Sequence, residues 1–278
     1  MKLQEKKKIT AYERVLLARD KERPNIIEYT EALFEDFIEL KGDRLGKEDP
    51  AIYGGIAFFE GRPVTVIGHR KGRDLKENLA CNFGMPNPEG YRKALRLMKQ
   101  AEKFGRPVIT FIDTPGAYPG LEAEENGQSV AIAENLLKMS RLKVPVIALV
   151  TGEGNSGGAL AIGLADRVYM LENAVYSILS PEGFASILWK DSSRKKEACE
   201  LMHLTAEELC QDGFADGMIL EGEGGIRKNK EKVYKEIRQM LRRELASLSK
   251  LPIEELVELR YKKYRSMGQP LCEPEEKE

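Results

Sequence analysis

The chain has 278 residues, 32% of them charged, yet its formal net charge is only −1, which excludes the strongly basic surface of a nucleic-acid binder or a membrane-surface protein. Four scattered cysteines (Cys81, Cys199, Cys210 and Cys272) with no Cys-x-x-Cys pair argue against a disulfide frame or a zinc site and fit a reducing compartment. The N-terminus lacks a signal-type apolar core and no apolar run reaches membrane length, so the expected location is the cytoplasm.

In chain order, Thr10-x-x-Glu13 is a capping box ahead of Val15, Leu16 and Leu17 and predicts a first helix. Pro24 suits a first helical position. Behind it Ile26/Ile27, Thr30, Leu33/Phe34 and Phe37/Ile38 mark the apolar face of a second helix, ended by Gly42. Ile52 to Phe59, the turn Glu60-Gly61, and Pro63 to Gly68 read as a β-hairpin. Lys71-Gly72-Arg73 follows, as a phosphate-holding pair of cations or, more plainly, a solvated loop. A helix after Pro88 turns Ala94/Leu95, Met98, Ala101 and Phe104 inward and Arg92, Lys93, Arg96 and Lys99 outward, and Gly105 stops it. The strand Val108 to Asp113 opens onto Thr114-Pro115-Gly116-Ala117-Tyr118-Pro119-Gly120. This is a rigid loop at a strand's C-terminal end, where open α/β folds place ligands.

The next predicted helix carries Val130, Ala133, Leu136/Leu137 and Ser140 on one face. Pro145 to Val150 then reads as a buried strand that turns through Gly152-Glu-Gly154-Asn-Ser-Gly157-Gly158 into an Ala/Leu/Ile helix. Such a turn offers free backbone N–H groups with almost no side chain in the way, suited to a phosphate or to an oxyanion formed during reaction. Three kinds of site share the pattern. Gly152-x-Gly154-x-x-Gly157 matches a dinucleotide fingerprint, with Glu172 at the spacing of a ribose-binding acid, as in a nicotinamide dehydrogenase. Gly154-Asn-Ser156-Gly-Gly resembles the nucleophile loop of trypsin-like peptidases, with His69 and Asp113 upstream in the right order. The third is an oxyanion hole for thioester or amide-like carbonyls. A tight, closely packed turn without chemistry is the plain alternative, and the motif alone does not decide.

Arg167 to Leu171 and Val175 to Leu179 read as strands, followed by Ser180-Pro181-Glu182-Gly183 and a short helix around Trp189. Thr205 to Asp216 predicts a capped helix, a turn and a returning strand. Two amphipathic helices (about 229–247 and 253–267) close the chain, and the acidic tail Glu273 to Glu278 reads as disordered. Strands alternating with helices from about residue 50 to 220 imply an α/β core. The expected division is a helical N-terminal extension (1–49), the core (50–225), and C-terminal helices with the tail (226–278).

Read together, the loops are similar to one family. Asn82 to Met98, Phe111 to Gly120, Gly152 to Ile162, Ser180-Pro-Glu-Gly and Ala185-Ser-Ile-Leu-Trp resemble the α subunit of the carboxyltransferase of multi-subunit acetyl-CoA carboxylase, over roughly residues 24 to 220. The family usually carries Gly where Asn155 stands. The resemblance implies a crotonase-like spiral of ββα units with added N- and C-terminal helices. It implies carboxyl transfer from carboxybiotin, borne on biotin carboxyl carrier protein, to acetyl-CoA, forming malonyl-CoA for fatty-acid synthesis. A β subunit would bring a zinc ribbon and most of the acetyl-CoA site, in an α2β2 assembly, with no metal on this chain. It aligns Gly157 and Gly158 with the family's oxyanion glycines. Gly116, Ala117 and Gly154 would line the carboxybiotin pocket, and a Cβ on the oxyanion glycines would stand where the ureido ring approaches. His69 and His203 are expected to be structural and Ser156 a turn residue, because the ureido anion can itself take the methyl proton.

Overall fold

The computed structural model describes residues 9–268, so Cys272 and the segment Glu273 to Glu278 lie outside the described residues. The chain opens with α1 (Ala11–Ala18) and α2 (Ile26–Leu33), then β1 (Glu35–Glu39), β2 (Ile52–Phe59), β3 (Arg62–His69) and α3 (Leu75–Ala80). Next come α4 (Pro88–Lys103), β4 (Val108–Thr114), α5 (Leu121–Glu125), α6 (Gln128–Ser140), β5 (Val146–Asn155) and α7 (Ser156–Leu160). The rest is β6 (Arg167–Leu171), β7 (Val175–Ser177), α8 (Pro181–Trp189), α9 (Lys195–Leu201), α10 (Ala206–Gln211), β8 (Gly217–Ile219), α11 (Ile226–Leu248) and α12 (Ile253–Ser266).

One sheet runs in the order β1-β2-β3-β4-β5-β6-β8, with β7 paired to β5. β1, β2 and β3 pair antiparallel, in register through the Glu60-Gly61 turn as the hairpin pattern requires, and all later pairings are parallel. Parallel strands covered on both faces should be continuously apolar, and all ten residues of β5 are buried. The long β5 pairs with β6 through Ile147–Val150 and then with β7 through Glu153–Asn155, so its C-terminal half leaves one neighbour for another. α11 closes the core with Val233, Ile237, Met240, Leu241, Leu245 and Leu248. Among the described residues, no helix is long and apolar enough to cross a membrane.

The predicted second helix does not reach Gly42. It ends at Phe34, whose backbone is extended, and residues 35–39 form β1. The reason lies across the sheet. A side chain on Gly55 would place its Cβ 2.8 Å from the carbonyl carbon of Ile38, and the missing side chain lets the β1 backbone close on β2. That ladder overrides a helix-compatible pattern.

Two predicted helix faces also change. On α4, Lys93 is buried with its ammonium on Glu48 and on the Asp49 carbonyl (2.8 Å), while Phe104 beyond the helix end is exposed. On α6 the buried face is Gln128, Ala131, Asn135 and Met139, and Val130 and Leu137 face outward. Gln128 explains this rotation, because its amide donates to the carbonyls of Pro86 (2.8 Å) and Tyr118 (3.0 Å) and so locks the loop before α4 to the loop after β4.

Candidate active site

β5 does not turn at Gly152. It stays extended to Asn155, and each early glycine has a packing reason. A Cβ on Gly152 would lie 2.6 Å from the Asp113 carboxyl carbon, and one on Gly154 would lie 2.9 Å from the Tyr176 ring and 3.1 Å from Ile112. Gly154 is therefore wedged between β4 and β7, with the Tyr176 ring between it and the groove beside the turn. The turn itself is Ser156, at φ 58°, then Gly157 and Gly158 in the first turn of α7. Asn155 opens that helix but its side chain makes no capping bond, and among the described residues the Gly157 and Gly158 N–H groups have no hydrogen-bond acceptor.

The loop after β4 meets this turn. Gly116, at φ 146°, donates its N–H to Thr114 Oγ1 (3.0 Å) and accepts from the same hydroxyl (2.7 Å), so it is a spent donor that shapes the loop. Ala117 is half-buried, lies against Gly158, and its N–H has no acceptor among the described residues. The two loops bring Gly157, Gly158 and Ala117 together. The backbone of this loop by itself requires a glycine at 158. Gly157 differs, since a Cβ there would meet Ile132 at an ordinary 3.6 Å. Beside Gly157 runs a largely apolar groove of about 570 Å³, whose walls include Ser156, Leu160, Tyr176, Ser177 and Phe184.

Behind the turn lies a partly buried ionic cluster centred on the buried Glu153. Glu153 Oε1 accepts from Lys71 Nζ (3.0 Å) and Oε2 from Arg19 Nε (2.8 Å); Lys71 also reaches Asp113 Oδ1 (2.7 Å). Arg19 continues to Glu182 in the first turn of α8 (3.0 and 3.3 Å). Burial would raise the Glu153 carboxyl, but Lys71 and Arg19 outweigh it and hold it below the usual carboxylate range. Lys71 is likewise held above its ordinary value by Asp113 and Glu153 against the effect of burial. Arg73 binds the carbonyls of Lys21 and Arg23 and pairs with Glu28. The Lys71-Gly72-Arg73 loop thus has no spare cation for a phosphate. Sequence reasoning missed this cluster, although Glu153, a carboxylate inside an apolar strand, was its visible signal.

The rival readings fail on geometry. Glu172 accepts from the N–H groups of Glu221 and Gly222 and pairs with Arg14, so it is engaged elsewhere and no ribose site exists beside the glycines. No catalytic triad forms either. Asp113 bonds Lys71 and the Glu153 N–H, and His69 is fully enclosed at the end of β3 with neither ring nitrogen in a well-formed hydrogen bond. The carbonyls of Gly158 and Phe111 lie near its ring, but burial dominates and pushes its value down to about 3, so it stays neutral. His203 sits at the groove's rim with Nδ1 3.1 Å from Asp212.

The sequence profile of the family described as "Acetyl co-enzyme A carboxylase carboxyltransferase-like" matches residues 1–268. The chain is 56% identical over 257 residues to the acetyl-coenzyme A carboxylase carboxyl transferase subunit alpha of Shouchella clausii (strain KSM-K16), covering 92% of this chain and 79% of that one. It is 54% identical over 266 residues to the protein of the same name from Clostridium acetobutylicum, covering 96% and 97%. Among solved structures, the transcarboxylase 12S hexamer with methylmalonyl-coenzyme A and methylmalonic acid bound superposes with a TM-score of 0.65 at 19% identity, over 88% of this chain and 46% of that chain. A Pseudomonas malonate decarboxylase hetero-tetramer in complex with coenzyme A gives 0.64 at 17% identity, over 78% and 88%. At such identities these two show the shared fold alone, the crotonase-like α/β architecture that the sequence leads one to expect. The dehydrogenase reading finds no support among these relatives.

Proposed function

The chain belongs to the acetyl-CoA carboxylase carboxyltransferase α-subunit family, and from that membership we propose that its Gly157–Gly158 turn is the biotin-side half of a carboxyltransferase active site. Carboxybiotin, presented by biotin carboxyl carrier protein, supplies the activated carboxyl group and gathers negative charge on its ureido oxygen as that group leaves. The N–H groups of Gly157 and Gly158 donate to that oxygen, and the Ala117 N–H stands beside them as a third unspent donor. Donors fixed in advance stabilise charge that is fully present only in the transition state. One such donor is worth about 3 kcal/mol of barrier, a hundredfold or more in rate. The apolar walls of the groove beside Gly157 accept a ring and exclude water, which strengthens those hydrogen bonds.

The acceptor is acetyl-CoA, held mainly by a zinc-ribbon β subunit in an α2β2 assembly, and the product is malonyl-CoA for fatty-acid synthesis in the cytoplasm. Carboxybiotin therefore arrives as a carried cofactor and the zinc belongs to the partner. The observation that carries this reading is the uncapped Gly157–Gly158 turn, packed against the Gly116–Ala117 loop and bordered at Gly157 by an apolar groove. The test is reconstitution with a β subunit of the family, measuring malonyl-CoA formed from carboxybiotin and acetyl-CoA. Activity is expected from the pair and not from either chain alone. Full activity in this chain by itself, or none in the assembled pair, overturns the proposal.

A further inference from the structure

Asn is among the best N-cap residues, yet Asn155, at the head of α7, caps nothing. Its carboxamide is turned aside and held at both ends. Nδ2 donates to Glu153 Oε2 (3.3 Å), and Oδ1 accepts from Ser177 Oγ (2.9 Å), whose proton is shared with the Leu179 carbonyl (2.6 Å). An ionised Glu153 can only accept, which fixes which end of the amide faces it. Both holders are themselves immobile: Glu153 is gripped by Lys71 and Arg19, and Ser177 is directly across from Asn155 in the β5–β7 ladder. Asn155 is 1% exposed, so its amide depends on these two partners.

We propose that Asn155 is a restrained cap: Glu153 and Ser177 hold its carboxamide off the Gly157 and Gly158 N–H groups and so leave those donors free for the substrate oxyanion. Glu153 and Ser177 restrain the Asn155 side chain, whose removal is then harmless, and the inference rests on Gly157 and Gly158 being the oxyanion donors. A freely rotating Asn at that position would occupy the donors itself.

Two changes at one residue have opposite expected effects. In Asn155→Asp the new carboxylate is repelled by Glu153 and attracted to the first-turn N–H groups. In the enzyme assembled with its β partner, kcat should fall at least tenfold while KM for acetyl-CoA stays within about twofold. Asn155→Gly has nothing to cap with and should keep kcat within about twofold of wild type. Ser177→Ala frees one arm of the amide and should lower kcat about fivefold, and Asn155→Gly in the same chain should restore it. A direct substrate contact by Ser177 predicts no such rescue. In the chain alone, hydrogen–deuterium exchange of residues 156–160 should slow in Asn155→Asp and not in Asn155→Gly. Wild-type exchange and kcat in Asn155→Asp overturn the proposal. Equal losses of kcat in Asn155→Asp and Asn155→Gly do so too, because they make Asn155 an ordinary structural residue. If the wild-type pair makes no malonyl-CoA the functional reading falls, and the exchange measurement still decides whether the cap is restrained.

Discussion

A Cβ on Gly158 would lie 2.5 Å from the carbonyl carbon of Gly116 and closer still to the nitrogen of Ala117, so the two loops of the site meet backbone to backbone. Neither side can yield as a flexible side chain would. Gly158→Ala should therefore cost about 2 kcal/mol through overpacking, a fall in Tm of roughly 4–8 °C for a domain of this size. Gly157→Ala has an ordinary 3.6 Å contact with Ile132 and should keep Tm within about 2 °C. Thermal unfolding of both variants decides it, and equal shifts would show that the loops do not meet as described.

The pH dependence of stability should contain two opposing slopes. Burial lowers His69 from 6.5 to about 3, so its contribution is fully present above pH 6.5 and is lost as pH falls toward 3. Burial raises Asp49 from 3.8 to about 6, against hydrogen bonds from the Ala51 and Asn87 N–H groups. Its contribution is fully present below pH 3.8 and is lost as pH rises through 6. Between these limits each group has a slope of at most about 1.4 kcal/mol per pH unit, with opposite signs. Asp49→Asn should leave stability rising with pH up to about 6.5, and His69→Gln should leave it falling from 4.5, above which the ion-paired Glu153 no longer contributes a slope, to about 6. Denaturation curves at several pH values in this window measure the slopes, and identical profiles in both variants would refute the assignment.

Local rules placed the turn, and tertiary contacts decided what surrounds it. The capping boxes at Thr10/Glu13 and Thr205/Glu208 and the Glu60-Gly61 hairpin formed as written, because each depends on residues only a few positions apart. The glycine turn was legible for the same reason. What was illegible depended on distant partners. Gly152 and Gly154 spell a phosphate loop until Asp113 and Tyr176 are seen filling the space beside them. Phe37 and Ile38 fit a helix until β2 offers a ladder. The inward face of α6 was missed because a hydrogen-bonding Gln128, and not its apolar residues, sets the helix's rotation.

Arg19 links the floor of the site to the wall of the groove, binding Glu153 in β5 and both carboxylate oxygens of Glu182 in α8. Arg19→Met should leave Glu182 with Lys195, at 3.4 Å, as its remaining ion-pair partner and loosen α8. Hydrogen–deuterium exchange over Pro181–Trp189 should quicken several-fold while exchange over α11 stays unchanged. Unchanged exchange in α8 would mean that its packing holds without Arg19.

Arg260 and Asp166 supply the last prediction. Arg260, on α12, is 1% exposed, and its guanidinium makes five hydrogen bonds: two to Asp166 (both 2.8 Å) and three to the carbonyls of Met139, Leu142 and Val144. It fills the turn between α6 and β5 and fastens the C-terminal helix to the core. Asp166 also accepts the Val146 N–H (2.7 Å), so it marks the start of the strand that ends at the glycine turn. Arg260→Met keeps most of the volume but leaves a buried carboxylate without its cation and three carbonyls without a donor. Breaking one side of such a pair costs about 3–5 kcal/mol. Asp166→Asn in the same chain removes the stranded charge while its amide can still accept from Val146. The double variant should therefore be at least about 1 kcal/mol more stable than Arg260→Met alone, a coupling that two independent sites would not show. Urea denaturation of the four proteins gives the cycle. An Arg260→Met chain within about 1 kcal/mol of wild type would mean that α12 is held by its apolar contacts, and the buried guanidinium would then need another explanation.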